Sequence, residues 1–248
     1  MERKEIAGLP FISATLNEAV DEALRLVLTG KGGMVVTPNA EIGKLAIDDP
    51  EFRELLKSAE LVVPDGAGVV LAGKLLGAGL KGKIAGIDLG LALLPRLAEH
   101  DLPIFLLGSK PGVADAAAEK LREQVPGLTI CGTQHGYFKE DEEIVRRIRE
   151  SGAKVLFCCL GAPKQEQWMK QHKEELPGVL MFGLGGTLDV VAGNVKRAPD
   201  FFIKCNLEWF YRLLKEPSRI GRMMKLPAYE LDVLLLKLGL KKLKGREG

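Results

Sequence analysis

Several features are missing from this sequence, and each absence narrows the reading. None of its 248 residues falls in an apolar run of about 18, so no segment reads as a membrane-spanning helix. The start, MERKEIAGLPFISATL, lacks the apolar core of a secretory signal, and none is expected. The four cysteines, Cys131, Cys158, Cys159 and Cys205, show neither zinc spacing nor a disulfide framework. Two of them sit in the apolar run KVLFCCLG and read as packed thiols of a reducing cytoplasm. His100, His135 and His172 are scattered, with no metal spacing. There is no Walker A motif, and no GxGxxG follows the first predicted strand, which argues against ATPases and dinucleotide enzymes. There is also no Asp-x-Asp triplet, the pair with which many sugar-nucleotide transferases hold a metal against the diphosphate. A transferase without it must neutralise its leaving group with Arg or Lys. No metal site and no cofactor are expected.

What is present describes a folded α/β chain. Hydrophobic residues make up 46% of it and charged residues 27%, which suits a sizeable core and not disorder. GMVVTP, AELVVP, LPIFLLG, GLTICG, AKVLFCCLG and GVLMFGLG are short apolar runs with little alternation, as in strands buried on both faces. Amphipathic segments lie between them, two with clear starts: Thr15 with Glu18 as a capping box, and Asp49 before Pro50. The expectation is a Rossmann-like, mostly parallel sheet flanked by helices, over residues 1–195. Strands then stop, and residues 196–248 read as a helical appendage. It carries 13 Lys or Arg against 6 Asp or Glu, a balance of +7 in a chain whose total is +2, so the body is mildly acidic. An anionic partner follows for it: a membrane, a nucleic acid or a phosphorylated substrate. Phe201, Phe202, Trp209, Phe210 and Tyr211 among the basic residues fit an interfacial membrane helix, the alternative being an ordinary helical cap on the sheet. No nucleic-acid partner is expected, and a homodimer is left open.

In open α/β sheets ligands sit beyond the carboxyl ends of the strands, and five strand ends here are unusual. TPNAEI offers Thr37 and Asn39. VVPDGAG offers Asp65 beside Gly66 and Gly68. LLGSKPG turns at Gly108. CCLGAPKQEQW brings Gly161, Lys164 and Gln165 to a strand–helix junction, and FGLGGTLDVVAG does so with Gly185 and Gly186. Glycine turns before helices expose N–H groups that suit phosphate. Asp65 is either a plain helix N-cap or a general base toward a hydroxyl, and the neighbouring glycines leave room for a ligand. Cations available to a leaving diphosphate are Lys83, Arg197, Arg212, Arg219 and Arg222.

The stretches TPNAEI, PDGAGVV, AGIDL, LGAPKQEQW, GLGGTLDVVAGNVKRAP and LEWFYRLLKEPSRIGR together resemble the WecG/TagA/CpsF glycosyltransferase family over roughly residues 10 to 225, and within it the TagA branch most. That resemblance implies transfer of N-acetylmannosamine from its UDP donor to undecaprenyl-diphospho-N-acetylglucosamine, the linkage unit of wall teichoic acid. It implies Asp65 as the base that takes the proton of the acceptor 4-hydroxyl, with inversion and a β-1,4 product. Thr37 and Asn39 would line the pocket, Gln167 would border it, and Arg212 and Arg219 of the appendage would complete it; Tyr137 is a further substrate-binding candidate. The family's usual arginine before xxGxDL is Lys83 here, which keeps the charge and loses the bidentate fork. A UDP-sugar donor, a lipid-diphosphate acceptor and an anionic membrane surface on the cytoplasmic side are the implied partners. Another UDP-hexose, such as the uronic acid, and a non-catalytic UDP-sugar sensor remain open on the residues alone.

Overall fold

The computed structural model describes residues 1–205, 207–215, 217 and 220–245, with the side chains of Asp200, Lys204, Arg212 and Arg222 outside the description. An antiparallel hairpin of β1 (Arg3–Ile6) and β2 (Leu9–Ile12) comes first, followed by α1 (Leu16–Leu28), β3 (Gly33–Val36), α2 (Ala40–Asp48), α3 (Pro50–Lys57), β4 (Leu61–Val62), α4 (Ala67–Leu76) and α5 (Gly86–Glu99). Then come β5 (Ile104–Gly108), α6 (Val113–Gln124), β6 (Ile130–Gln134), α7 (Asp141–Glu150), β7 (Val155–Cys159), α8 (Lys164–His172), β8 (Leu180–Gly183) and α9 (Thr187–Val191). The chain continues through α10 (Asp200–Lys204), α11 (Glu208–Lys215), α12 (Ile220–Met223) and α13 (Lys225–Lys237).

The six runs read as strands form one parallel sheet, ordered β4-β3-β8-β7-β5-β6. Their lack of alternation has a direct cause, since successive side chains enter two separate apolar layers. Val35, Leu106, Phe157 and Phe182 pack with α1, α5, α6 and α9, whereas Met34, Leu107, Leu156 and Met181 pack with α2, α3, α7 and α8. Both cap signals are realised. Thr15 and Glu18 form the reciprocal box, and Asp49 accepts from the N–H groups of Glu51 and Phe52.

The hairpin was not foreseen. Its strands have four residues each, too few for a pattern to show, and Pro10 argues against a strand. Its turn is made by Ala7 and Gly8, with φ of 48° and 83°, the left-handed pair a two-residue hairpin requires.

The basic segment is also not uniform. Helix α13 packs across α2 and α4 in the same layer as the hairpin. Tyr229 is 1% exposed and lies over Gly43, where a Cβ would come within 2.6 Å of its ring. Asp232 pairs with Lys44 (3.1 Å) and Lys241 (2.6 Å), and Arg53 donates to the carbonyls of Ala46 (2.9 Å) and Lys244. No described helix is long and apolar enough to cross a membrane.

One residue on from Tyr229, Glu230 is folded against α4. A Cβ on Gly68 would sit 3.0 Å from its Oε1, and its Oε2 is buried without a hydrogen-bond partner. Burial pushes this carboxyl up to about 7. The folded chain therefore holds the proton where the unfolded chain has released it. Stability falls as pH rises from about 4.5, the ordinary value, to beyond 7. Glu230→Gln stays neutral throughout. It is expected to melt with the parent near pH 5 and several degrees above it at pH 8, as read by thermal unfolding at the two pH values.

Candidate active site

The carboxyl ends of the strands lie along one edge of the sheet in the order of the strands. Asp65 follows β4, Thr37 follows β3, Gly183 ends β8, Gly161 follows β7, Gly108 ends β5, and Gly136 and Tyr137 follow β6.

Asp65, Thr37 and Asn39 are drawn together through two glycines. The N–H of Asp65 donates to the Pro38 carbonyl (3.2 Å), and its Oδ2 faces the N–H of Gly86 (3.4 Å), the first residue of α5. Ala85, which caps α5, contributes no side-chain bond, so the carboxylate stands at the positive end of that helix. Asp65 does not cap α4, because Gly66 holds that position with φ of 87°. Thr37 is buried and donates to the Gly183 carbonyl (3.0 Å), and a Cβ on Gly86 would meet its Oγ1 at 2.9 Å. Asn39 caps α2 by accepting from the Ile42 N–H (3.1 Å), and its Cβ lies 3.9 Å from where a Gly66 Cβ would be. Gly68 packs on Ala40 and Glu230 with no space for a side chain. The PDGAG turn is thus glycine-rich for two reasons: a left-handed backbone at Gly66 and close packing at Gly68.

At the other end of this edge is a cavity of about 430 Å³, lined by Ser109, Gly136, Tyr137, Phe138, Leu160 and Lys164 among others. Tyr137 is two-thirds exposed. Lys164 Nζ sits 5.3 Å over the Phe138 ring and 3.5 Å from the Gly136 carbonyl. Ser109, at φ of 58°, donates to Asp189 Oδ2 (2.7 Å). Neither Ser109 nor Asp189 stands out in the sequence. A left-handed serine has no compositional signature, and Asp189 is hidden within GGTLDVV.

The remaining candidates divide by what holds them. Gly108 is a packing residue, since a Cβ there would meet the Cys159 carbonyl oxygen at 2.3 Å. Gln165 is 3% exposed and its side chain is bonded to two backbone turns, whereas Gln167, on the same helix, is exposed. Gly161, Gly185 and Gly186 face open space. Lys83 donates to the Ile203 carbonyl (3.3 Å), which ties α10 to the body. Arg197 forms a fork with Asp88 in the first turn of α5 (2.7 and 2.8 Å), on the Asp65 side of the edge. The side chains of Arg212 and Arg222, and all of Arg219, lie outside the described residues.

Electrically the edge favours an anion. Helices α4 and α6 begin here with no side-chain cap, whereas the first N–H of α5 faces Asp65 and the Gln165 N–H of α8 is bonded to the Gly161 carbonyl. Among the described residues no group of three His, Cys, Asp or Glu is placed to hold a metal. Burial raises the Cys159 thiol to about 12 and Cys158 well above its ordinary value, so neither serves as a nucleophile. The arrangement offers the Asp65 carboxylate beside the open backbone of Gly66, and at the far end a polar pocket with an exposed aromatic ring.

Comparison with known proteins adds a lineage. The sequence profile of the glycosyl transferase WecG/TagA/CpsF family matches residues 4–243. A Bacillus spizizenii protein named N-acetylglucosaminyldiphosphoundecaprenol N-acetyl-beta-D-mannosaminyltransferase is 38% identical over 235 residues, which is 94% of this chain and 91% of the relative. A Bacillus subtilis protein of the same name is 35% identical over 235 residues, 94% of this chain and 92% of the relative.

Proposed function

The chain belongs to the glycosyl transferase WecG/TagA/CpsF family, and from that premise we propose that it transfers N-acetylmannosamine from UDP-N-acetylmannosamine to N-acetylglucosamine on undecaprenyl diphosphate, making the linkage unit of teichoic acid. The observation that carries the reading is Asp65: a carboxylate at the sheet's carboxyl edge, flanked by Thr37 and Asn39 and by Gly66, beside which there is open space. The two Bacillus relatives bear the name of this reaction.

In the proposed mechanism Asp65 takes the proton of the acceptor 4-hydroxyl as that oxygen attacks the anomeric carbon. The new C–O bond forms as the bond from the anomeric carbon to the UDP oxygen breaks. UDP departs with the electron pair, and the anomeric centre inverts. A single displacement needs one base and no covalent enzyme intermediate. Thr37, bonded to the Gly183 carbonyl, and Asn39, capping α2, keep the two neighbouring loops fixed around the reacting sugars. The charge developing on UDP is met by uncapped helix N-termini, Lys164 and the arginines of the appendage, without a metal. The uridine is assigned to the pocket lined by Tyr137 and Ser109, where an exposed aromatic face suits a base and the Ser109 hydroxyl is held by Asp189.

The acceptor is a lipid, so the enzyme is proposed to work as a peripheral protein on the inner face of the cell membrane. Phe201, Leu214, Ile220 and Met224 are each more than half exposed and share residues 196–224 with several basic residues, as an interfacial segment requires.

Three outcomes are expected. Asp65→Asn should lower turnover by about 10² to 10⁴, the usual worth of a general base, and leave UDP affinity within a few-fold. Near-parent turnover by that variant would remove Asp65 from the chemistry and favour another base. Turnover followed by mass detection of the disaccharide-lipid should survive EDTA, whereas strict dependence on Mg²⁺ or Mn²⁺ would overturn the metal-free mechanism. Vesicles with anionic lipid should retain the protein and neutral ones should not. Salt should weaken the retention, since each basic residue near the surface contributes about 1 kcal/mol that fades within a Debye length.

A further inference from the structure

Gln165 and Glu166 are neighbours at the start of α8, and both are shut away from solvent at 3% and 0% exposure. The Gln165 side-chain oxygen accepts two backbone N–H groups, from Gly161 at 3.2 Å and from Gly185 at 2.9 Å. One belongs to the turn after β7 and the other to the turn after β8. The Gln165 side-chain nitrogen donates to Glu166 Oε1 at 2.8 Å, and its own backbone N–H donates to the Gly161 carbonyl at 2.9 Å. A single amide therefore joins two turns that are separate in sequence and adjacent on the sheet.

Both glycines have left-handed φ, 79° at Gly161 and 53° at Gly185, and a Cβ on either would meet nothing within 4 Å. The turns are thus bare backbone facing open space, held from below. What holds them depends on which way the amide points. If it were flipped, a nitrogen would confront two N–H donors and both bonds would be lost. Glu166 decides the orientation by offering an acceptor to the nitrogen. Its other oxygen, Oε2, is buried with no hydrogen-bond partner among the described residues. Burial raises the pKa of this carboxyl.

We propose that Gln165 and Glu166 are a positioning pair: Glu166 orients the Gln165 amide, and Gln165 locks the two glycine turns in the arrangement that receives the diphosphate of a nucleotide-sugar donor. This rests on the reading of the site as a UDP-sugar site. Gln165 is then not a substrate contact, since its polar atoms are all used within the protein. The pair acts on donor binding and not on the acceptor.

The test uses the full chain and UDP as probe. Gln165→Leu deletes the shared acceptor, Glu166→Leu deletes the orienting one, and Glu166→Gln keeps an acceptor oxygen in place. Both leucine variants should show faster amide hydrogen exchange at Gly161 and Gly185 in the ligand-free protein. They should bind UDP about tenfold more weakly by calorimetry, the equivalent of one or two neutral hydrogen bonds. The donor KM should rise by a similar factor while the acceptor KM stays within twofold. Glu166→Gln should match the parent in all three measurements. If a leucine variant does not fold, Glu166→Asp, which withdraws the acid by one methylene, should give the same pattern. The inference is overturned if the leucine variants bind UDP like the parent, if Glu166→Gln is as impaired as Glu166→Leu, or if donor and acceptor KM rise together. A parent chain that binds no UDP would instead overturn the reading of the site, and this inference with it.

Discussion

Everything at the candidate site follows from one constraint: the parallel sheet is covered by helices on both faces. Met34, Val35, Leu106, Leu107, Phe157 and Met181 all lie at 0 or 1% exposure, so the strands carry no chemistry along their length. Polar function is confined to their carboxyl ends, where backbone hydrogen bonding between strands runs out and new helices begin. Glycine is concentrated there because the turn from a buried strand into a covering helix is tight. The same turns bring backbone N–H groups to the edge, some of them held by Gln165 and Asp65. Packing and anion binding thus ask for the same residues at the same places, and the edge is polar without any cluster of charges.

This coincidence is why much of the architecture was legible. Apolar runs without alternation mark the six strands, and unusual strand ends point to Thr37, Asn39 and Asp65, which the fold brings to one edge of the sheet. What stayed hidden depends on contacts between distant positions. Gln165 reads as a ligand contact because it follows Gly161 and Lys164 at a loop; only the fold shows its oxygen shared between Gly161 and Gly185, the latter 20 positions beyond Gln165 along the chain. The bond from Ser109 to Asp189 spans 80 positions, and no local pattern announces it. The hairpin escaped because four-residue strands hold too few alternations to count.

The basic segment shows how composition can merge two roles. Its net charge of +7 and its aromatics describe a stretch of 53 residues as one thing. The fold separates it. Tyr229 and Val233 of α13 are core residues by burial, and Asp232 draws in Lys44 and Lys241. Before that helix Phe201, Leu214, Ile220 and Met224 are exposed, and α13 itself is two-sided, with Leu231 and Leu234 exposed on the face away from the core. Counting charges cannot divide such a segment, because Lys225 and Lys241 face acidic partners on the protein while their sequence context looks the same as that of an outward lysine.

The clasp between Arg53 and the carbonyl of Lys244 spans 191 positions, and Gly8 packs on Leu243 beside it. The layer that the hairpin begins is therefore closed by a helix made long after the sheet is complete. During vectorial synthesis the notch at Gly43 and the apolar flank of α4 stand open until residues 225–245 emerge. A larger share of contacts at such long range goes with slower folding. In that interval a nascent chain presents an unfilled hydrophobic groove, which is where a chaperone would have reason to bind.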